Sequence, residues 1–393
     1  DHINKNENFY SGTQSYPESQ ITVSERMRAR NMELVSVSTI PFSYNPETKT
    51  LEVFTNIEIE VTESDSNSER ETITMKRSRL FEDLYGDMIV NFETSNRDED
   101  YQKPAILYIC GGDSCDNSYV QSLFDWRHQQ GYIVYSATES EVGGNNASTS
   151  EIKNYIEDAV ETWDNPPEMV GLIGDTGGSY SLPCYSHDWG GGWYGYNGPT
   201  DFDYTQLSGN DLLSDVLIGR ISASSSSDLA NIINKTIQYE KGNYQSEDWF
   251  EGAALVGDPS SSGVSTIITN QYIQNMMENF GFEDIDTNYG DGNYDDWVED
   301  RFDEGILYYN YRGFYGSSGI GQSGFNNGFE TPFVTTLTCG TGDFDGTSDS
   351  ENFVRTGSVS NPSGAVAAIG VATTGTHTAY NNIVNISKNQ TLY

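Results

Sequence analysis

The chain has 393 residues and carries 59 Asp and Glu against 20 Lys and Arg, a formal net charge of −39. That balance excludes nucleic acid and anionic membrane as partners, and no apolar run reaches the length of a membrane-spanning helix. That length exceeds one ordinary domain, and hydrophobic residues at 35% with aromatic residues at 12% make a chain that folds rather than stays disordered. Acidity on this scale suits a secreted protein, working in salty water or carrying structural calcium. The chain opens on Asp1 with no signal-peptide pattern, so it reads as a processed or trimmed piece.

Residues 1–100 read as a β-rich region. Leu34-Val-Ser-Val-Ser-Thr-Ile40 and Leu51-Glu-Val-Phe-Thr-Asn-Ile-Glu-Ile-Glu-Val61 alternate at period two, and Pro41 to Thr50 between them holds the turn residues of a hairpin. A charged, Ser-rich stretch follows from Thr62 to Glu71. Residues 101–393 change to strands alternating with helices. Ala105–Cys110 is a buried strand ending in two glycines, Asn117–Gln130 a helix and Tyr132–Tyr135 a strand. Ser148-Thr-Ser-Glu151 is a capping box that opens the next helix, and Met169–Asp175 is a strand ending in an acid. A Gly/Tyr/Trp loop spans Gly177 to Pro199, followed by a strand at Val216–Arg220 and a helix at Asp228–Lys241. The second round has Ala253–Asp258, the helix Val264–Asn279, Gly305–Tyr311, the strand reaching Cys339, and Ala365–Val371. Such alternation predicts an α/β fold built on a mostly parallel sheet.

Phe333-Val-Thr-Thr-Leu-Thr-Cys339 delivers a thiol to the turn Gly340-Thr-Gly-Asp-Phe344. Ligands bind beyond the carboxyl ends of parallel strands, and turn N–H groups there stabilise a thiolate or an oxyanion. The other three cysteines are plainer. Cys110 and Cys115 either pair across their short turn or simply pack, and their spacing is not that of a zinc site. Cys184, in the Gly/Tyr/Trp loop, reads as structural.

Cys339-Gly-Thr-Gly-Asp-Phe344 resembles the Cys-x-x-Gly-Asp-Phe nucleophile motif of the gingipain family of cysteine peptidases, whose catalytic domain is caspase-like. Pro41-Phe-Ser-Tyr-Asn-Pro46 and the strand after it are similar to that family's propeptide region, and Trp126–Val134 to its first helix-to-strand unit. Ser208–Asp211, Asp215–Arg220 and Lys235–Glu240 resemble the block bearing the acidic S1 residue. The resemblance implies a caspase-like, mostly parallel sheet flanked by helices after a propeptide-like region. It implies a secreted or cell-surface endopeptidase acting on protein or peptide substrates, with Cys339 as nucleophile and no required cofactor. Asp211 becomes the S1 carboxylate for Arg or Lys, and turn amides near Gly313 and Cys339 the oxyanion hole. Export by the type IX machinery is implied too, through a C-terminal signal domain outside these residues.

One departure is decisive for mechanism. The family's strand ends Asn-Tyr-x-Gly-His-Gly with the general-base histidine, whereas this chain reads Asn310-Tyr-Arg-Gly-Phe-Tyr-Gly316. Phe314, or Tyr315 one residue on, occupies that place; neither is a base at neutral pH. Of the four histidines, His2, His128 and His187 are remote or superficial, and His377 after the Ala365–Val371 strand is the candidate substitute. Two readings follow: a cysteine endopeptidase with His377 as base, or a weak or inactive relative that binds rather than cleaves. Asp343, Asp345, Asp349 and Glu351 offer oxygens for calcium, as does the run Asp291–Asp296, but neither has EF-hand spacing and no metal site is assigned.

Overall fold

The structure is a computed structural model that describes residues 6–60, 75–86, 88–95, 97–144, 146–188, 197–243, 248–290 and 292–392. The Ser-rich stretch Thr62–Glu71 and the Asp291 end of the acidic run lie outside them. The chain divides into two compact units: Asp1–Arg77 with Ser95–Asp100 and Gln206–Asp215, and the remainder.

The first unit is built of hairpins. Ile21–Val23 pairs with Val37–Thr39 around an inner hairpin of Met27–Ala29 with Met32–Leu34, and Phe42–Asn45 pairs with Thr50–Val53. The predicted strand over Leu34–Ile40 is therefore two strands, because the chain changes partner at Val35 and Ser36. The strand predicted over Leu51–Val61 stops at Val53. Period-two alternation marks a strand with one covered face, yet Val35, Val37, Leu51 and Val53 are all exposed in this unit. At the tip of the inner hairpin Arg30 adopts φ 53° and is fully buried, its backbone N–H donated to Asp215 Oδ1 at 2.8 Å and its guanidinium to Asp215 O at 2.8 Å.

The second unit carries the alternating strands and helices, and here pattern and structure agree closely. Ser148 and Glu151 close the capping box ahead of the Thr149–Thr162 helix. Asn117 caps Ser118–Gln129. Cys110 and Cys115 are joined in a disulfide. The strands form two parallel sheets rather than one continuous sheet. Four strands run in the order Leu217–Ile221, Met169–Ile173, Ala105–Cys110, Ile133–Thr138. Five run in the order Asp284–Asn288, Gly252–Gly257, Tyr308–Arg312, Phe333–Cys339, Ala367–Val371. The Ala105–Cys110, Gly252–Gly257 and Tyr308–Arg312 strands are buried throughout, as strands covered on both faces must be.

Two polar knots join the halves of this unit. Arg355, on the Asp349–Arg355 helix, binds Asp175 and Glu351 at 2.8 Å each, and Ser222 Oγ donates to Glu351 at 2.5 Å. Burial and the nearby Asp175 hold the Glu351 carboxyl above its ordinary pKa, against the pull of Ser222 and Arg355. Lys235, on the Ser226–Glu240 helix, donates to the carbonyls of Val354, Thr356 and Ser363 at 2.8, 3.0 and 2.8 Å.

Candidate active site

The Phe333–Cys339 strand lies between Tyr308–Arg312 and Ala367–Val371, and its last residue reaches the carboxyl edge of the five-stranded sheet. Cys339 is 7% exposed there. Gly340 takes φ 77°, which suits glycine, and a Cβ on it would meet the Tyr315 ring at 3.2 Å. The loop after Tyr308–Arg312 folds along the same edge: Tyr315 bridges Cys339, and Gly316 N–H donates to Cys339 O at 3.0 Å. Phe314 and Tyr315 are 52% and 60% exposed.

Among the described residues the sulfur has two hydrogen-bond partners, both just before or within the first turn of the Thr378–Leu392 helix. Sγ donates to Thr376 O at 3.2 Å, and Asn381 Nδ2 donates to Sγ at 3.9 Å. Beside it Arg312, fully buried, donates to Leu337 O, to Thr338 Oγ1 at 3.3 Å, and through Nε and Nη2 to Asn382 Oδ1 at 3.0 and 2.6 Å. Every one of these acceptors is neutral. Burial pulls the guanidinium pKa down to about 10, and the proximity of Cys339 and Tyr311 works the other way.

The other residues singled out in the sequence fall as follows. His377 is exposed, and its Nδ1 accepts Ala379 N–H at 3.1 Å. Among the described residues no imidazole hydrogen-bonds to the thiol. His187 Nε2 lies 2.9 Å from both oxygens of Asp203, His128 is exposed on its helix, and His2 is outside the described residues. Gly313 N–H donates to Thr338 Oγ1 at 3.2 Å, and Gly340 and Gly342 N–H donate to Thr373 O and Val371 O at 3.0 Å each. Those three amides are thus committed to protein acceptors. Asp211 belongs to the first unit, where Oδ2 accepts Arg28 N–H at 2.7 Å and Oδ1 accepts Leu213 N–H at 2.8 Å.

Glu351 is committed to Arg355 and the cap at Ser348, and Asp349 accepts from Ser317 at 2.6 Å. The described residues contain no group of three acidic, His or Cys side chains placed to hold a metal. Burial pushes the Cys184 thiol up to about 11, in keeping with a structural cysteine. Sequence reasoning missed Arg312, Thr376, Asn381 and Asn382. Arg312 had left a signal, a charged residue ending an aromatic strand, since a buried Arg is rare without a purpose.

The model of the C25 propeptide matches residues 3–98, and the model of peptidase family C25 matches residues 99–393. Gingipain R2 of Porphyromonas gingivalis is 28% identical over 354 residues, which is 85% of this chain and 46% of that protein. Gingipain R1 of the same organism is 29% identical over 360 residues, covering 85% and 34%. The chain therefore spans about half, or less, of the length of these relatives. Among solved structures, the complex of P. gingivalis RgpB pro- and mature domains aligns at TM-score 0.64 and 24% identity, over 73% of this chain and 68% of that one. The Arg-specific cysteine proteinase gingipain R (RgpB) aligns at TM-score 0.59 and 24% identity, over 71% and 64%. These likenesses carry the caspase-like α/β fold, and with the family model matched from residue 99 to the end, the chain belongs to peptidase family C25.

Proposed function

We propose that this chain is a peptide-binding C25 domain that hydrolyses amide bonds weakly or not at all. The observation behind this reading is the setting of Cys339. Phe314 stands where the family motif has histidine, and the sulfur is bonded to a carbonyl and an amide rather than an imidazole. Amide hydrolysis needs a base to activate the thiol and an acid to protonate the departing amine; positioned groups of this kind contribute about 10²–10⁴-fold. His377, the candidate substitute, has its Nδ1 engaged by its own helix. Protein or peptide ligands are the partner class that family membership favours. The Cys110–Cys115 disulfide and the charge of −39 favour work outside the cell. No helix among the described residues is long and apolar enough to cross a membrane.

The test is to restore the missing group. Phe314→His, assayed beside the wild type on a fluorogenic peptide library, should raise Cys339-dependent cleavage by about 100-fold or more, the share a positioned acid–base residue supplies. Wild-type turnover that already equals that of Phe314→His and vanishes in Cys339→Ala would reinstate the endopeptidase.

A further inference from the structure

Arg312 poses an electrostatic question that the fold does not answer by itself. A guanidinium stays protonated in proteins, and taking one out of water is costly unless an anion compensates. Arg312 is 0% exposed, and its hydrogen-bond acceptors are the Leu337 carbonyl, the Thr338 hydroxyl and the Asn382 amide oxygen. Two half-buried arginines are matched differently: Arg355 has Asp175 and Glu351, and Arg220 has Asp201. Leu337 and Thr338 are the two residues before Cys339. Asn382 neighbours Asn381, which donates to the sulfur.

Among the described residues the surrounding charges do not supply the missing anion. On the Gly252–Gly257 side, Asp258 is engaged with Ser318, with Ser260 N–H at 2.9 Å and with Tyr311 Oη at 3.5 Å. On the Asp349–Arg355 helix, Asp349 is held by Ser317 and Glu351 by Arg355. Asp343 lies four residues beyond Cys339, and burial followed by Asp345 keeps it above its ordinary pKa. Burial holds the Tyr311 hydroxyl above its ordinary pKa, and Tyr315 on the following loop and His377 and Tyr380 at the start of the last helix are exposed.

We propose that Arg312 is the counter-charge of a Cys339 thiolate, a positioning residue that does for this thiol what an imidazolium does in a Cys–His pair. The inference rests on the imidazole-free reading of the site given above. Three features favour the thiolate: the buried guanidinium, the Asn381 N–H, and the N-terminus of the 15-residue helix starting at Thr378. One opposes it, the Thr376 carbonyl that accepts the S–H. A thiol is a weak donor, so a single S–H···O bond yields to a full charge in low-dielectric surroundings. The consequence is a nucleophile without a turnover cycle. A thiolate attacks, but Arg312 cannot lend a proton to a leaving amine.

The experiment follows the sulfur directly. In protein labelled at cysteine ¹³Cβ, the titration of Cys339 is read by NMR, and its alkylation by iodoacetamide is followed by mass spectrometry. In that reaction the thiolate carbon–sulfur bond forms as the carbon–iodine bond breaks, and iodide leaves without a proton. Cys184, the other free thiol, is the internal comparison. The wild-type midpoint should fall near or below pH 7, against about 8.5 for an unperturbed thiol. Arg312→Gln should raise it by a unit or more, a tenfold loss of alkylation rate at pH 6. Arg312→Lys keeps a charge but loses the two-pronged hold on Asn382, and should raise it by about half a unit. Should Arg312→Gln not fold, Arg312→Lys decides: a rise supports the pair, and an unmoved midpoint overturns it. A wild-type midpoint at about 8.5 or above overturns the inference whatever the variants do. Peptide turnover by the wild type, by contrast, would sink the non-hydrolysing reading and leave the thiolate standing.

Discussion

At the scale of single residues, the site turns on what two side chains do with their nitrogens. His377 precedes the Thr378–Leu392 helix, and its Nδ1 takes Ala379 N–H, the bond by which a cap satisfies the second amide of a helix. His377→Ala should therefore cost about 1 kcal/mol of stability, as loss of a cap does, and leave the alkylation rate of Cys339 unchanged. His377→Asn, a stronger cap, should recover the loss. Denaturant midpoints and the alkylation time course measure the two effects separately, and a tenfold slower Cys339 in His377→Ala would place the imidazole on the thiol after all. Cys339 was legible in the sequence because a β-branched run followed by Gly340 and Gly342 specifies a strand end with a tight turn. Arg312 was not. Its burial depends on which strands become neighbours and on Asn382 arriving from 70 residues away, and neither is local information.

At the scale of elements, most boundaries between residues 105 and 280 followed from caps and apolar runs, Ser148 and Asn117 being the clearest cases. The failures lie where polar residues do the joining. The Asp284–Asn288 strand and the Tyr294–Glu304 helix are acidic and only partly covered, so they carry little hydrophobic pattern. Lys235 ties the Ser226–Glu240 helix to three carbonyls of residues 354–363, a role invisible in a helix read by period alone. Burial pulls its pKa from 10.5 down to about 7. The unfolded chain then holds this proton up to about pH 10.5 while the folded chain releases it near 7, so the unfolded state binds more protons between those values. Stability owed to this group is thus gained as pH rises through that window, by at most about 1.4 kcal/mol per unit. Lys388 is shifted the same way by burial and adds to the trend. Lys235→Met should flatten it: denaturation midpoints from pH 7 to 10 should diverge in the wild type's favour, and parallel curves would show the lysine to be charged throughout.

At the scale of the whole molecule, the feature that sequence order conceals is the segment Gln206–Asp215. It lies inside the stretch matched by the peptidase model, yet it packs as part of the first unit. Two acids fasten it there. Asp211 takes Arg28 N–H, and Asp215 takes Arg30 N–H together with Leu207 N–H at 2.9 Å and Ser208 N–H at 2.8 Å. In sequence the block around Asp211 resembles the one bearing the acidic S1 residue; that its carboxylate also accepts from a hairpin 183 residues earlier is not written in any local pattern.

Inside the first unit, that arrangement fits two distant stretches of chain together as tenon and mortise. The chain supplies the tenon from residues 27–34 and cuts the mortise from residues 206–215, so breaking the backbone between them does not separate the parts. A specific protease site placed between Asp100 and Tyr101 and then cleaved should leave both fragments eluting together on size exclusion in native buffer and parting only in denaturant. The same cut in an Asp215→Ala chain removes the carboxylate bond that crosses it, from Arg30 N–H, and there the N-terminal fragment, whose residues 78–94 belong to the second unit, should part at a lower denaturant concentration. If it parts as readily with Asp215 intact, that bond does not hold the joint. If it stays, severing the backbone and freeing the fragment are two separate events, and the second requires the acids at 211 and 215 to let go together with residues 78–94, which pack in the second unit.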